Sequence, residues 1–192
     1  MKGSQHERML TAAAQGDDEA LSLLVRAYHD RVYRFGVRVC RDDYDAQDAV
    51  QEAFIKLAQR PDVVSHLGAL SWLMSVVRHA CQRLLRPFQR ERRALGERVA
   101  EDAEIPSEHL NPEQALARWE LVHAVHAAIA TLERPYREVL VMRDLEGLTG
   151  DETCHALGLE AATMKTRLHR ARAQLKQALE RTQRSAGSGG LN

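Results

Sequence analysis

The sequence predicts an all-α protein with two small helical domains joined by a flexible linker, the C-terminal one containing a helix-turn-helix. Three observations support this fold class. Apolar residues recur at steps of three and four through most of the 192 residues. Residues 89–110 lack a sustained apolar stripe and are rich in acid, as mobile linkers often are. Near the C-terminus, a capping box and a glycine turn precede a basic amphipathic helix.

The N-terminal domain, residues 1–88, is predicted to contain three main helices. Asp17 or Asp18 can cap the first, because aspartate side chains accept hydrogen bonds from the exposed amides of a helix start. A group of aspartates precedes the second helix, which Pro61 ends. The third is predicted to start at Ser71 or Trp72. The residues expected in the core of the second and third helices are Ala46, Ala49, Val50, Ala53, Phe54, Leu57, Trp72, Leu73, Val76, Val77, Ala80, Leu84 and Leu85.

The C-terminal domain is predicted to cover residues 111–182, followed by a disordered tail at 183–192. Its first helix begins with a capping box between Asn111 and Gln114, with Pro112 at the first helical position. The expected core side of this helix consists of Leu116, Trp119, Val122, Val125, Ile129 and Leu132.

Two helices meeting at a tight turn are predicted between residues 145 and 179. Thr149 and Glu152 form a second capping box, and Gly158 is suited to the left-handed conformation that ends a helix. The helix beyond it carries an apolar stripe that is expected to face the preceding helix. This stripe consists of Met164, Leu168, Ala171 and Leu175.

The opposite side of this second helix is basic. Between residues 165 and 184 the chain has seven basic residues and one acid. Basic faces are often only solvated surface, but a preceding capped helix and glycine turn favour a helix placed in a DNA major groove. The outward residues are Lys165, Thr166, His169 and Arg170, flanked by Arg167 and Arg172.

Charge is segregated along the chain, although the formal net charge is zero. Residues 41–52 contain five acids and one arginine, whereas residues 60–98 contain eight arginines and three acids. At helical spacing, Asp48, Gln51 and Glu52 share one side, with Asp45 one turn earlier. Such an acidic side is commonly solvated surface, but its position beside a basic helix indicates a binding role.

Several classes of function are not indicated. Cys40, Cys81 and Cys154 have neither paired nor zinc-ligand spacing, so free buried thiols in a reducing compartment are expected. His123 and His126 lack a third metal ligand, and no nucleophile has a base at a suitable spacing. We therefore expect no enzymatic activity, metal or cofactor. With no secretory signal or membrane-spanning segment, a cytoplasmic protein without direct membrane insertion is expected.

Three segments together resemble a known family. They are DAQDAVQEAFIKLAQ (45–59), WLMSVVRHACQRLLR (72–86) and EGLTGDETCHALGLEAATMKTRLHRAR (146–172). In this order and spacing they are similar to the extracytoplasmic function (ECF) group of bacterial sigma-70 family factors. The resemblance implies a region 2 domain and a region 4 domain, which bind core RNA polymerase and direct it to promoters.

The resemblance also implies residue roles. The acidic residues Asp45, Asp48, Gln51 and Glu52 match the surface that binds the clamp helices of the polymerase β′ subunit. The residues that match those contacting the promoter −10 element are Ser65, His66, Arg78, His79, Arg83 and Arg86. The residues that match those contacting the −35 element are Thr163, Lys165, Thr166, Arg167, His169, Arg170 and Arg172. His79 and Arg83 stand where the family often has Asn and Asp, so an unusual −10 sequence is expected.

The partners implied by the resemblance are core polymerase, promoter DNA and a membrane-anchored anti-sigma factor. A free chain with a mobile linker should sample many domain arrangements, which such a factor would clamp. The alternative is a helix-turn-helix regulator that binds DNA without being a polymerase subunit. That alternative would not explain the acidic helix and the tryptophan-led basic helix upstream.

Overall fold

The computed structural model describes residues 2–63, 68–88 and 111–188, and every regular element within them is helical. A short 3-10 turn, Pro61–Val63, follows the third helix, and a π-helical turn, Val141–Leu145, follows the sixth. The α-helices are α1 Lys2–Ala14, α2 Asp18–Cys40, α3 Asp43–Gln59, α4 Ala69–Phe88, α5 Pro112–Thr131, α6 Arg134–Leu140, α7 Gly150–Leu157 and α8 Ala161–Ser188.

The N-terminal domain is built from α1 to α4, with α2, α3 and α4 packed on one another. Aspartate caps begin two of these helices, because Asp17 accepts from the Ala20 amide at 2.7 Å and Asp42 from the Asp45 amide at 3.0 Å. The centre of the core is apolar and fully buried, and it includes Leu24, Phe35, Leu57 and Leu73.

Gly36 sits where α2 crosses α3 and α4. A Cβ atom at this position would lie 3.4 Å from side-chain carbons of both Val50 and Val77. The absence of a side chain therefore allows the three helices to approach closely. Because α3 and α4 are held against the same stretch of α2, their outer faces lie side by side.

The start of α4 differs from the sequence-based prediction. The helix begins at Ala69 rather than at Ser71 or Trp72. Gly68 has a φ of 79°, and its carbonyl accepts hydrogen bonds from the Ser71 hydroxyl at 2.9 Å and the Trp72 amide at 3.3 Å. This glycine reverses the chain, so Ser71 lies inside the first helical turn.

The prediction of three free thiols is wrong for two of them. Cys40, at the end of α2, and Cys81, in the middle of α4, form a disulfide with a Cα–Cα distance of 5.0 Å. Only Cys154 is free among the cysteines. The sequence separation of 41 residues gave no sign of the pairing, because it arises from the packing of α2 against α4.

In the C-terminal domain, the start of α5 is as predicted. Asn111 and Gln114 form a complete capping box, with proline in the first turn. Ile129 and Leu132 are buried, but Leu116 is 58% exposed and Trp119 is 50% exposed, so their assignment to the core was wrong. Residues 116–121 are all exposed, whereas the buried residues of α5 lie in its C-terminal half, and α8 packs against this helix.

The predicted helix-turn-helix is confirmed. Thr149 and Glu152 form the capping box of α7, and Gly158, with a φ of 64°, ends it. The stripe on α8 is inward, with Met164, Leu168 and Ala171 buried. The final helix continues to Ser188, six residues past the domain boundary predicted at 182.

The two domains are in contact. Helix α4 packs against α7, and α2 packs against α6 and the π-helical turn. In the structure these contacts hold the two domains in a closed arrangement.

Candidate functional site

The acidic side predicted for polymerase binding lies on α3. Asp48 and Gln51 are exposed and Asp45 is half-buried. Glu52 differs from the others, because Lys56 lies 2.6 Å from its carboxylate and Arg83 of α4 lies within 2.7 Å. Hydrogen bonding from Lys56, followed by that from Arg83, holds the pKa of Glu52 below its ordinary value. Asp48 and Gln51 are therefore the members of this face that remain most open to a partner.

The predicted −10 residues lie on or before α4. Ser65, His66 and the side chain of Arg86 fall outside the described part of the chain. His79 and Arg83 are exposed on neighbouring turns, and Arg83 is paired with Glu52. The structure thus joins a residue expected to bind DNA to one expected to bind polymerase.

Arg78, the remaining −10 residue, is covered by the C-terminal domain. Its Nε donates to the Glu138 carboxylate of α6 at 2.9 Å. Arg134 donates to the other oxygen of that carboxylate at 2.7 Å. The Glu138 side chain is only 5% exposed, so this ion pair is shielded from solvent. In the closed chain, Arg78 is not available to a nucleic acid strand.

A second interdomain cluster surrounds Glu146, whose side chain is 4% exposed. Arg31 of α2 donates to both the carboxylate and the carbonyl oxygen of Glu146, and Arg38 lies 3.5 Å from the carboxylate. Arg38 also lies 3.4 Å from the Nε2 atom of His126. Arg41, the residue in left-handed conformation that follows the end of α2, donates to the Ala130 carbonyl.

Burial changes the ionisation of two groups in this cluster. Burial lowers the pKa of Arg38, although the nearby Glu146 partly opposes that effect. Burial also lowers the pKa of His126, and the positive charge of Arg38 lowers it further. The neutral imidazole is therefore favoured next to a guanidinium. This cluster was not found from the sequence, although Arg31 and Arg38, two turns apart, share one face of α2.

The predicted −35 residues form one face of α8. Thr163, Lys165, Thr166, His169 and Arg170 are exposed and Arg167 is half-buried. Arg172 makes a two-point contact with Asp144, at 2.8 and 2.7 Å, while its side chain stays 58% exposed. Arg172 therefore also ties α8 to the π-helical turn before the helix-turn-helix. The structure brings these residues together, and neither α2 nor α4 covers them.

The described residues contain neither a candidate metal site nor a membrane-spanning helix. Residues 2–63, 68–88 and 111–188 hold no group of three metal-ligating side chains. In the same residues, no helix is long and apolar enough to cross a bilayer. The surfaces that stand out are thus the acidic side of α3, the basic faces of α4 and α8, and the interdomain contact.

The two helical domains match two family models. Residues 24–91 match sigma-70 region 2, and residues 123–175 match sigma-70 region 4. The sigma-H factor of Pseudomonas aeruginosa is 30% identical over 190 residues, covering 95% of this chain and 97% of that protein. SigM, an ECF sigma factor of Mycobacterium tuberculosis, is 31% identical over 183 residues, covering 92% of this chain and 88% of that one.

These matches define the class as bacterial transcription initiation factors. The chain belongs to the sigma-70 family and, within it, to the ECF group. A further relative, SigE of Mycolicibacterium smegmatis, is 32% identical over 167 residues, and the match spans 85% of this chain but 64% of the length of that protein.

Solved structures share the fold. One is CnrH in complex with the cytosolic domain of CnrY, with a TM-score of 0.65 and 22% identity, covering 91% of this chain and 96% of that one. Another is the sigma factor RpoE in complex with the anti-sigma factor NepR from Bartonella quintana, with a TM-score of 0.64 and 18% identity, covering 83% and 96%. The two-domain helical architecture is therefore one that other sigma factors adopt.

Proposed function

We propose that this chain binds core RNA polymerase and directs it to specific promoters, without enzymatic activity of its own. The observation that carries the proposal is the presence, in one chain, of a region 2 unit with an exposed acidic helix and a region 4 unit with an exposed basic helix. A DNA-binding regulator that is not a polymerase subunit would account for the second unit but not for the first.

In this proposal the acidic side of α3 binds the clamp helices of the β′ subunit. Asp48 and Gln51 provide an exposed acceptor surface for basic partner side chains. Glu52 also contacts the β′ subunit, once its ion pairs with Lys56 and Arg83 are replaced by ion pairs with basic groups of that subunit. Since both present partners of Glu52 are partly exposed, that exchange has a low energetic cost.

The basic faces bind the two promoter elements. Lys165 and Arg170 have donors suited to guanine O6 and N7 in the major groove of the −35 element, and Arg167 and Arg172 lie nearer the phosphates. On α4, Arg83 and His79 contact the −10 element, with Arg78, Arg86, Ser65 and His66 completing that surface. Arginines that follow a strand's phosphates are a general feature of single-strand binding.

Promoter binding requires the two domains to separate. The positions −10 and −35 are about 25 base pairs apart, which is about 85 Å at about 3.4 Å per base pair. A compact chain of this length has a radius of gyration of about 16 Å and is about 40 Å across. The closed arrangement therefore cannot engage both elements, whereas a segment as long as residues 89–110 can reach about 75 Å between the domains.

We further propose a cytoplasmic protein restrained by an anti-sigma factor. The fold is shared with RpoE, which was solved in complex with the anti-sigma factor NepR, and with CnrH, solved with the cytosolic domain of CnrY. A membrane-anchored partner would connect an outside signal to the chain, and its polymerase-binding and DNA-binding faces would be covered while the partner is bound.

Run-off transcription with purified core polymerase tests the proposed function. Core enzyme, the chain and a library of genomic promoter fragments should give transcripts whose start sites share two sequence motifs. Core enzyme with the Lys165→Ala, Arg170→Ala variant serves as the matched control. The start sites of its transcripts should no longer share the upstream motif. If the chain binds duplex DNA alone but gives no transcript with core enzyme, the non-polymerase regulator is the correct function.

A further inference from the structure

An ion pair at the edge of the −35 face joins Arg172 of α8 to Asp144 of the π-helical turn. The Nε and Nη2 atoms of Arg172 donate to the two carboxylate oxygens of Asp144, at 2.8 and 2.7 Å. The Arg172 side chain is 58% exposed and the Asp144 side chain is 30% exposed. The guanidinium is therefore held by one carboxylate and is still open to a further partner.

Arg172 lies on the side of α8 that carries exposed −35 residues. It follows Lys165 by seven residues and His169 by three, and both of these side chains are exposed. Residues at these spacings share one side of a helix. The buried stripe of the same helix, which includes Leu168 and Ala171, faces the rest of the domain. A DNA duplex that contacts Lys165 and His169 is thus also within reach of Arg172.

Asp144 is carried by a well-anchored turn. The Glu146 amide donates to the Val141 carbonyl at 2.9 Å, which closes the π-helical turn. The Leu148 amide donates to the Met142 carbonyl at 2.9 Å as well. The side chains of Val141 and Met142 are fully buried, so the turn is fixed to the core of the domain. The Asp144 carboxylate is therefore presented from a fixed support.

The guanidinium of Arg172 has two edges that can bind oxygen atoms. Asp144 binds the edge formed by Nε and Nη2. The other edge is formed by Nη1 and Nη2 and has N–H donors on both nitrogens. Parallel donors of this kind match two oxygens of one phosphate group. Arg172 can thus bind Asp144 and a DNA phosphate at the same time.

Fixing Arg172 in advance favours DNA binding. A free arginine side chain has many rotamers and loses that freedom when it binds a phosphate. Asp144 restricts the side chain before DNA arrives, so less conformational entropy is lost on binding. The same ion pair does little for folding, because exposed ion pairs contribute little to stability.

We propose that Asp144 is a positioning residue for promoter recognition, which holds Arg172 so that the second edge of the guanidinium binds a phosphate beside the −35 element. This inference rests on the proposed function and adds to the −35 surface a residue whose own charge opposes DNA binding. Neutralising a carboxylate close to DNA ordinarily strengthens binding, because repulsion from the phosphates is removed. Neutralising a carboxylate that positions a cation weakens binding. The sign of the effect of Asp144→Asn therefore separates the two roles.

The experiment measures the affinity of holoenzyme, formed from core polymerase and the full chain, for a fluorescent duplex promoter fragment selected by run-off transcription. The variants are Asp144→Asn, Arg172→Ala and the two together, so that the coupling between the two residues is measured. The matched control is Asp151→Asn, which makes the same chemical change at an exposed aspartate of the same domain. Circular dichroism and thermal unfolding establish that each chain is folded.

Asp144→Asn should weaken binding about three- to tenfold, the factor that corresponds to ordering one long side chain on binding. The loss should be similar for fragments with different −35 bases, because a phosphate contact carries no sequence information. Asp151→Asn should cause no loss. In the Arg172→Ala chain, which itself should bind more weakly, Asp144→Asn should cause no further loss.

Salt dependence and a conservative variant distinguish positioning from a purely structural role. Arg172→Ala should lower the salt dependence of binding by about one unit, and Asp144→Asn should lower it by part of that amount although it removes a negative charge. Asp144→Glu can still pair with Arg172 and should recover most of the lost affinity. All of these variants should keep the melting temperature of the unchanged chain.

Two results would overturn the role of Asp144. Equal or tighter binding by Asp144→Asn would show that the carboxylate acts only as a repulsive charge. An equal loss in the presence and absence of Arg172, with a lower melting temperature, would show that Asp144 only supports the fold. Normal transcription by the unchanged chain with either result would leave the proposed function intact. Absence of transcription by the unchanged chain with core polymerase would refute the proposed function and, with it, this inference.

Discussion

Reduction of the Cys40–Cys81 disulfide should destabilise the chain by an amount that follows from its position. The bridge joins residues 41 positions apart, and a closed loop of that length restricts the unfolded chain by about 4 kcal/mol in the chain-entropy model. For a chain of about 190 residues, each kcal/mol shifts the melting temperature by about 2–4 °C, so reduction should lower it by about 8–16 °C.

Thermal unfolding followed by circular dichroism, with and without a phosphine reductant, measures this effect. Cys154→Ala is the matched control, because that thiol is free and its loss should leave the response to reductant unchanged. A Cys40→Ala, Cys81→Ala variant should melt near the temperature of the reduced chain and should not respond to reductant. Equal melting temperatures for the oxidised and reduced unchanged chains would show that the disulfide does not stabilise the fold.

Three further predictions concern the interfaces. Asp48→Lys should lower the affinity for core polymerase in a binding titration without changing the melting temperature, because Asp48 is exposed. Unchanged affinity would show that this side of α3 does not bind polymerase. Arg170→Ala should weaken binding to the cognate −35 element by about 1–3 kcal/mol and relax the preference at one base, whereas Arg172→Ala should weaken binding to all sequences alike. If Arg172→Ala changed the base preference and Arg170→Ala did not, Arg172 would be the residue that reads a base. Burial, followed by the charges of Arg38 and His123, lowers the pKa of His126 in the folded chain. The closed chain should therefore keep its full stability above about pH 6.5 and lose stability as the pH falls below that value. Solution scattering that shows no expansion of the chain on acidification would contradict this prediction.

Local signals explain why most helices could be predicted from the sequence. The capping boxes at Asn111 and Thr149 and the glycine at 158 act within one turn, so the residues that form them are close in the sequence. The apolar stripe of α8 is equally local, since residues three and four apart share a face. The family resemblance added the roles of the polymerase and DNA surfaces, which spacing alone could not provide.

Contacts between distant segments could not be predicted in the same way. The Cys40–Cys81 disulfide depends on how α2 lies against α4, and the exposure of Leu116 and Trp119 depends on how little of α5 the rest of the domain covers. A helical period shows that a face is apolar but not whether another element covers it.

The same limit applies to the candidate sites. The sequence placed Arg78 and Arg172 on exposed binding faces, but their carboxylate partners, Glu138 and Asp144, are 60 and 28 residues away. The contact of Arg31 and Arg38 with Glu146 was not predicted, because arginines at helical spacing do not by themselves distinguish solvated surface from a binding site.

The distance between the two domains, measured in the free chain and in a polymerase–promoter complex, shows whether the closed chain opens on a promoter. Non-natural amino acids at Gln47 of α3 and Gln174 of α8, both exposed, can carry a pair of fluorophores without using cysteine. We expect a short distance in the free chain and an increase of tens of ångströms on the promoter, where the elements are about 85 Å apart. The same distance in both states would contradict the claim that a closed chain opens to place its two domains on the −10 and −35 elements.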